Sequence, residues 1–203
     1  MRKEAAIAVI VLYSGIVGGS GVAATEIPTG SRNERTEVFF EVRDDGPIPK
    51  GFAGLAIRAD IKTHREGYYF MEAEDSRHGK EKYPFLVSID GQAVRWEVDG
   101  FKDVTPRYDA DGKTSRDPEA GEGMKYVLDR EILLRAGPHR VFFSLPEDDY
   151  VTEAGIELSE GERSILEFRP VYRTKSSPVR VPSFVKGIKE YDIFLNGEPI
   201  PGN

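Results

Sequence analysis

The stretch that decides the fold is Tyr83-Pro-Phe-Leu-Val-Ser-Ile-Asp-Gly-Gln-Ala-Val-Arg-Trp-Glu-Val98. Apolar residues alternate with other residues on both sides of Asp90-Gly91, and a period of two is that of a β-strand with one buried face. An Asp-Gly pair suits a two-residue turn in which both central residues have positive φ. The stretch therefore predicts a β-hairpin, with Val94, Trp96 and Val98 on one face of its second strand.

The same alternation recurs along the chain and predicts an all-β fold. Short strands between turn residues are typical of a sandwich or a barrel, and we expect an antiparallel β-sandwich of one or two small modules. On the strand at 139–145, Val141, Phe143 and Leu145 should face inward, with Arg140 and Ser144 outward. A short helix is the alternative over 128–135. The other predicted strands are 36–42, 55–61, 68–71, 126–134, 155–158 and 164–168.

The first 24 residues have the pattern of a secretion signal helix. Arg2 and Lys3 precede an uncharged apolar run, and small residues lead up to Ala24, where cleavage is expected. A retained membrane anchor is the alternative, because residues 5–24 carry no charge. The prediction is a periplasmic or extracellular protein with no stable membrane insertion once the signal is removed.

Composition excludes several classes of protein. The net charge of −7 disfavours binding to nucleic acid, which needs clustered basic residues. The absence of cysteine excludes a disulfide scaffold, a thiol enzyme and a lipoprotein. Aromatic residues make up 10% of the chain, which argues against disorder.

A second stretch near the C-terminus has the pattern of the first hairpin. Residues 193–200 match residues 87–94 without gaps, with Asn-Gly in place of Asp-Gly. Internal duplication and convergent hairpin chemistry both explain the match. The predicted hairpin leaves an edge strand at 191–200 for pairing with a partner chain, and Pro199 and Pro201 would blunt that edge.

Residues 83–170 resemble the PEGA-type β-sandwich modules of bacterial surface proteins. The likeness lies in the first hairpin, in Gly137-Pro-His-Arg-Val141, in a tyrosine turn at Asp148-Asp-Tyr150 and in Gly161-Glu162 before the last strand. The Pro-Glu-Gly-Ala tetrapeptide is absent. The resemblance implies a β-sandwich and a non-catalytic role in the cell envelope. It divides the chain into 1–24, an N-terminal β region at 25–82, the module at 83–170 and an extension at 171–203.

An acidic, glycine-rich insertion at 99–123 interrupts this module. Long loops in compact domains tend to be functional or disordered. Arg107 and Arg116 stand where an EF-hand would need Asp and Glu. A looser calcium site and a solvated acidic loop both remain open, and no other cofactor is expected. The candidate calcium ligands are Asp109, Asp111, Asp117 and Glu119.

Aromatic and histidine residues supply the remaining candidates. Tyr68, Tyr69 and Trp96 could stack on a sugar ring, although Trp96 shares its face with apolar residues that favour burial. His64 and His78 lie in predicted turns separated by a predicted strand, so they would offer only a partial zinc site. His139 is expected to be a structural, half-exposed strand residue, and the chain contains no Gly-x-Ser-x-Gly elbow.

The pattern as a whole predicts an exported, non-enzymatic β-sandwich protein. It would act by binding or scaffolding in the bacterial cell envelope, with an envelope protein or a glycan as partner. A carbohydrate-binding module is the alternative, and an envelope hydrolase is a more distant one.

Overall fold

The computed structural model describes residues 35–42, 46–174 and 181–202. The predicted signal segment lies outside the described residues. Among these residues, two short 3-10 helices occur at Pro146–Asp148 and Phe184–Lys186. The strands are β1 Phe39–Glu41, β2 Phe52–Thr63, β3 Lys82–Ile89, β4 Gln92–Thr105, β5 Gly121–Arg135, β6 Gly137–Leu145, β7 Tyr150–Leu158, β8 Arg163–Tyr172, β9 Ile188–Leu195 and β10 Glu198–Ile200.

The ten strands form one nearly closed, barrel-like sheet. Its order is β10-β9-β8-β2-β5-β4-β3-β6-β7, with β1 also paired to β5. Neighbouring strands are antiparallel except for the parallel pair β2–β8. Near the seam, the Tyr191 backbone N–H of β9 donates to the Tyr150 hydroxyl of β7 at 3.0 Å. The all-β prediction is confirmed, whereas a two-layer sandwich is not.

Both predicted hairpins form with the expected turn. Asp90 and Gly91 have φ of 47° and 92°, and Asn196 and Gly197 have φ of 53° and 85°. The registers match as well, since residue 87 pairs with 94 and residue 193 pairs with 200. Aspartate and asparagine tolerate positive φ better than other non-glycine residues, which explains why this pattern predicts the turns well.

The core follows the period-two pattern of the strands. On β2, the odd-numbered apolar residues from Ala53 to Ile61 are all buried, and on β6 so are Val141, Phe143 and Leu145. Ser144 is buried too, against the prediction that it faces outward into solvent. It pairs with Leu86 of β3 on one side and with Val151 of β7 on the other. A serine side chain is short enough for such neighbours to cover it.

Several strand boundaries differ from the prediction, and three regions differ most. Residues 68–71 form turns, not a strand, and β7 begins at Tyr150, five residues earlier than expected. The insertion at 99–123 is not a loop throughout, because β4 continues to Thr105, β5 starts at Gly121 and the two pair. Near its start, Gly100 pairs with Tyr126, and a Cβ at Gly100 would come within 2.4 Å of the Tyr126 ring. This glycine makes room within the sheet instead of breaking it.

The three longest connections between the described strands lie at one end of the sheet. At one end, here called the loop end, lie residues 64–81, 106–120, 146–149 and 173–187, the last with 175–180 outside the described residues. At the other, the turn end, the connections after β3, β5, β7 and β9 have at most four residues. Loops held by a rigid scaffold commonly carry function, so the loop end is the place to look for a site.

Candidate functional site

A cavity of about 520 Å³ opens at the loop end. Residues from three of its connections line it, together with the end of β2. Its polar lining includes Lys62, His64, Glu72, Ser76, His78, Glu147, Asp148 and Arg173. The sequence separates these side chains by up to 111 residues, so only the closure of the sheet brings them together.

Two histidines meet in this cavity. His64 Nε2 lies 3.2 Å from His78 Nδ1, and His78 Nε2 lies 3.2 Å from Asp148 Oδ2. Asp148 also accepts a hydrogen bond from the hydroxyl of Tyr83. His64 is buried and the Asp148 side chain is 7% exposed, so this chain of groups is largely shielded from solvent.

The oxygens around these rings determine which ring nitrogens donate. His64 Nδ1 lies 3.0 Å from the Arg65 carbonyl oxygen, which can only accept, so Nδ1 carries a proton. His78 Nε2 faces the Asp148 carboxylate and donates to it for the same reason. In the neutral rings the two remaining nitrogens each hold a lone pair, and these two lone pairs face each other.

A cation at this point removes the conflict between the two lone pairs. A proton can be this cation. Burial lowers the pKa of His78, but the hydrogen bond to Asp148 and the charges of Asp148, Glu72 and Glu147 raise it more. The pKa of His78 therefore lies above the ordinary 6.5. A metal ion can serve equally, because neutral imidazole nitrogens are metal ligands.

A carboxylate completes a three-sided group. Glu72 Oε1 lies 3.7 Å from His64 Nε2, and one ligand atom from each of His64, Glu72 and His78 lies within 4.8 Å of the others. The Ser76 hydroxyl donates to Glu72 Oε1 at 2.7 Å and so fixes its position. Within the described residues, this is the one group of three or more such side chains with that spacing.

The loop that supplies these ligands also exposes apolar side chains. Phe70 and Met71 are 103% and 90% exposed, and Tyr68 and Tyr69 are 54% and 42% exposed. Both tyrosine rings contact His64, with ring centres 5.5 and 4.9 Å away. The Tyr69 hydroxyl donates to the Val185 carbonyl at 2.8 Å, which ties this loop to the connection before β9.

A buried lysine lies beside the cavity at the end of β2. The Lys62 ammonium donates to the Asp103 carboxylate, to the Thr105 hydroxyl and to the backbone carbonyls of Glu119 and Gly121. The hydrogen bond from Lys62 is the main reason that the pKa of Asp103 lies below its usual 3.8. This lysine is fully satisfied and has a structural role.

The predicted calcium ligands do not converge. Asp109 accepts hydrogen bonds from the backbone N–H groups of Asp111 and Lys113, and Asp117 accepts one from the N–H of Glu119. Glu119 itself binds Lys125 and the Tyr172 hydroxyl. These carboxylates order the 106–120 loop and the end of the sheet, and the calcium prediction is therefore not supported by their geometry.

The sugar-stacking candidates divide in the structure. Trp96 is buried and donates through Nε1 to Glu41 Oε1 at 2.6 Å, so it cannot stack on a ligand. Tyr68 and Tyr69 are exposed at the loop end, beside the cavity. His139 is half-buried on β6, as expected, with Nδ1 2.7 Å from Asp90 Oδ2.

Sequence reasoning missed the pairing of His64 with His78. The reason is the strand predicted at 68–71, which would have carried the two histidines to opposite ends of the sheet. The available signal was that His64 and His78, 14 residues apart, both lie in the one connection between β2 and β3. Asp148, which is 70 residues from His78, gave no local signal.

Comparisons of the chain with protein-family models, with curated proteins and with solved structures found no match. The PEGA-type resemblance of residues 83–170 therefore stays a prediction. Within the described ranges, none of the helices has the length and apolar character needed to span a bilayer.

Proposed function

We propose that this is an exported, non-enzymatic binding protein of the cell envelope, and that it binds a protein partner through the loop end. The observation that carries this proposal is the exposure of Phe70 and Met71 at 103% and 90% on a loop anchored by buried groups. Folded proteins rarely present adjacent large apolar side chains to water without a use for them.

The chemistry of the loop favours a protein over other partners. Phenylalanine and methionine are residues that fill apolar pockets at interfaces, and methionine adapts to irregular surfaces. Acidic residues follow at once in Glu72, Glu74 and Asp75. The matching surface is an apolar pocket with a basic rim, because complementary charges speed and orient association.

The anchoring of the loop supports the same conclusion. The Thr63 hydroxyl accepts a hydrogen bond from the Gly79 N–H at 3.0 Å, and the Tyr126 hydroxyl donates to the Lys80 carbonyl at 2.7 Å. These bonds hold the C-terminal end of the loop against β2 and β5. A loop held in this way loses less conformational entropy on binding than a free one.

Site-specific photo-crosslinking in the producing cell tests the proposal. A photoreactive residue at position 70 should give a discrete covalent adduct with one envelope protein, and the additional change Met71→Ser should weaken that adduct at least about 10-fold, the loss of about 1.4 kcal/mol. Position 40 is the matched control, because Phe40 is also an exposed phenylalanine, 52% exposed on β1. Equal adducts at both positions, or none at position 70, would contradict the proposal.

Carbohydrate binding is the second candidate, and the exposure of Tyr68 favours it. The Tyr68 ring is stacked on His64 with an angle of 28° between the ring planes, which holds it beside a polar cavity. A glycan array that shows binding lost in Tyr68→Ala but kept in Phe70→Ser would favour this candidate over a protein partner.

Export is tested on the whole chain. Expressed in a bacterial host, the protein should be recovered outside the cytoplasm, with Thr25 as its first residue by mass spectrometry. A mature chain that retains residues 1–24 in the membrane fraction would indicate the anchor instead.

A further inference from the structure

We infer that His64, His78 and Glu72 form a binding site for a divalent transition metal of the zinc class. A metal ion bound there would cross-link the two ends of the 64–81 loop. This inference goes beyond the proposed function and does not depend on a partner. It starts from the two imidazole nitrogens that face each other at 3.2 Å.

The distances between the ligand atoms suit a tetrahedral ion. Zinc binds nitrogen and carboxylate oxygen at about 2.0–2.2 Å, so two ligands on a tetrahedron lie about 3.4 Å apart. The observed separations from His64 Nε2 are 3.2 Å to His78 and 3.7 Å to Glu72. The third ligand pair lies within 4.8 Å, which a rotation of the glutamate side chain can shorten.

Each ligand has an outer partner of the kind that metal sites use. Metal-binding histidines almost always donate their other ring N–H to a carbonyl or a carboxylate. His64 donates to the Arg65 carbonyl at 3.0 Å and His78 to Asp148 at 3.2 Å. Glu72 is held by the Ser76 hydroxyl. The two imidazole nitrogens are thus oriented before any metal binds, and Glu72 is held beside them.

The donor set selects the class of ion. Calcium and magnesium prefer oxygen ligands alone, whereas two imidazoles and one carboxylate suit zinc and its neighbours. All three ligands line the cavity, so a water molecule or a donor atom of a partner can supply the fourth ligand. Within the described residues no cysteine competes for the ion.

The three ligands lie at the start, the middle and the end of the loop. Bound metal would therefore cross-link residues 64, 72 and 78 and restrict the exposed segment between them. Metal binding to the folded state also stabilises the fold by mass action.

Titration of the chelator-treated full-length protein with zinc chloride tests the inference. Calorimetry should give one ion per chain with Kd of micromolar or below, and cobalt should give the intense visible absorption of a tetrahedral site. His64→Gln and His78→Gln should weaken binding by at least about 100-fold, and Asp148→Asn, which removes only an outer partner, by about 10-fold. His139→Gln is the matched control and should leave Kd unchanged.

Two further measurements keep the test decisive. Glu72→Gln keeps the size of the side chain and an oxygen that can accept the Ser76 hydrogen bond, so it should fold even where a histidine variant does not, and it should still weaken binding. Hydrogen exchange at residues 66–77 should slow on adding zinc in the wild type. No binding by calorimetry, no cobalt absorption, or equal affinity in His64→Gln and His139→Gln would overturn the inference. Crosslinking at position 70 in chelator is independent of this result, so the two proposals can fail separately.

Discussion

The two ends of the sheet are built from the same strands but bury different groups. At the turn end, Asp90-Gly91 and Asn196-Gly197 reverse the chain in two residues and leave little polar surface to satisfy. At the loop end, His64 is 6% exposed and Lys62 is 1% exposed. The short turns therefore fix the strand register. The longer connections hold polar groups whose partners come from distant parts of the chain.

The histidines show the same contrast. His139, at the turn end, has both ring nitrogens against oxygens, with Nδ1 2.7 Å from Asp90 and Nε2 2.6 Å from the Arg135 carbonyl. His78, at the loop end, has an oxygen on one side and the nitrogen of His64 on the other. A histidine between two oxygens has no nitrogen left for a metal. In the pair of His64 and His78 at the loop end, each ring keeps one nitrogen that can bind a metal.

Replacing one glycine by alanine at each end of the sheet measures how tightly that end is packed. These substitutions should have the largest effect on the free energy of unfolding. Gly79 has φ of 73° and a Cβ there would lie 2.0 Å from the Glu66 backbone nitrogen, whereas Gly91 has φ of 92° and open space around it. Urea unfolding of Gly91→Ala should show a loss of about 1 kcal/mol from backbone strain alone. Gly79→Ala should lose about 3 kcal/mol, because backbone must also move. Equal losses would mean that the loop is not packed as described.

Two aspartate-to-asparagine changes compare the buried carboxylate of Asp148 with the half-buried carboxylate of Asp90. Asp148→Asn should lower the free energy of unfolding by about 2 kcal/mol, because charge-assisted bonds from His78 and Tyr83 are lost in a buried place. Asp90→Asn should change it by less than about 1 kcal/mol, since asparagine also suits this turn. Chemical denaturation in the presence of a chelator measures both. A larger loss at residue 90 would reverse the comparison of the two ends.

The Lys62–Asp103 pair predicts an acid-sensitive contribution at the loop end, the smallest effect of the three. The pKa of Asp103 is lower in the folded protein than the usual 3.8, so the carboxylate stabilises the fold above pH 3.8. That stabilisation disappears as the pH falls through the folded pKa. Asp103→Asn should therefore cost about 1 kcal/mol at pH 7 and progressively less below pH 3.8.

The control for this pH dependence is Asp99→Asn. Asp99 pairs with Lys82 through a side chain that is 82% exposed, so its removal should cost well under 1 kcal/mol at any pH. Denaturation curves at several pH values between 2.5 and 7 distinguish the two variants. A constant difference between wild type and Asp103→Asn across that range would contradict the assignment.

The turn end could be predicted from the sequence and most of the loop end could not. Asp90-Gly91 and Asn196-Gly197 are local signals, because a two-residue turn depends on the φ preferences of its own residues. The alternation on β2 and β6 is local in the same sense. His78 and Asp148 meet only because β3 and β6 pair, and no pattern within a strand encodes that distance.

Errors in the loop end share one cause. Aromatic residues at 68–71 have strand propensity, yet no neighbouring strand is within reach to pair with them, so they form turns. Conversely, the glycine and aspartate residues at 99–103 have turn propensity, but they pair with β5 and therefore lie in a strand. In both places tertiary pairing overrides local preference.

The position of β2 has a consequence for how the chain assembles. Both of its neighbours come later in the sequence, since residues 52–63 pair with 124–135 and residues 54–59 pair with 163–168. During synthesis the strand has no partner until 61 further residues have been made, because Thr63 pairs with Met124. Sheets with such long-range pairing fold slowly, on the order of milliseconds to seconds. The second neighbour of β2 is complete only when β8, which ends at Tyr172, has been made.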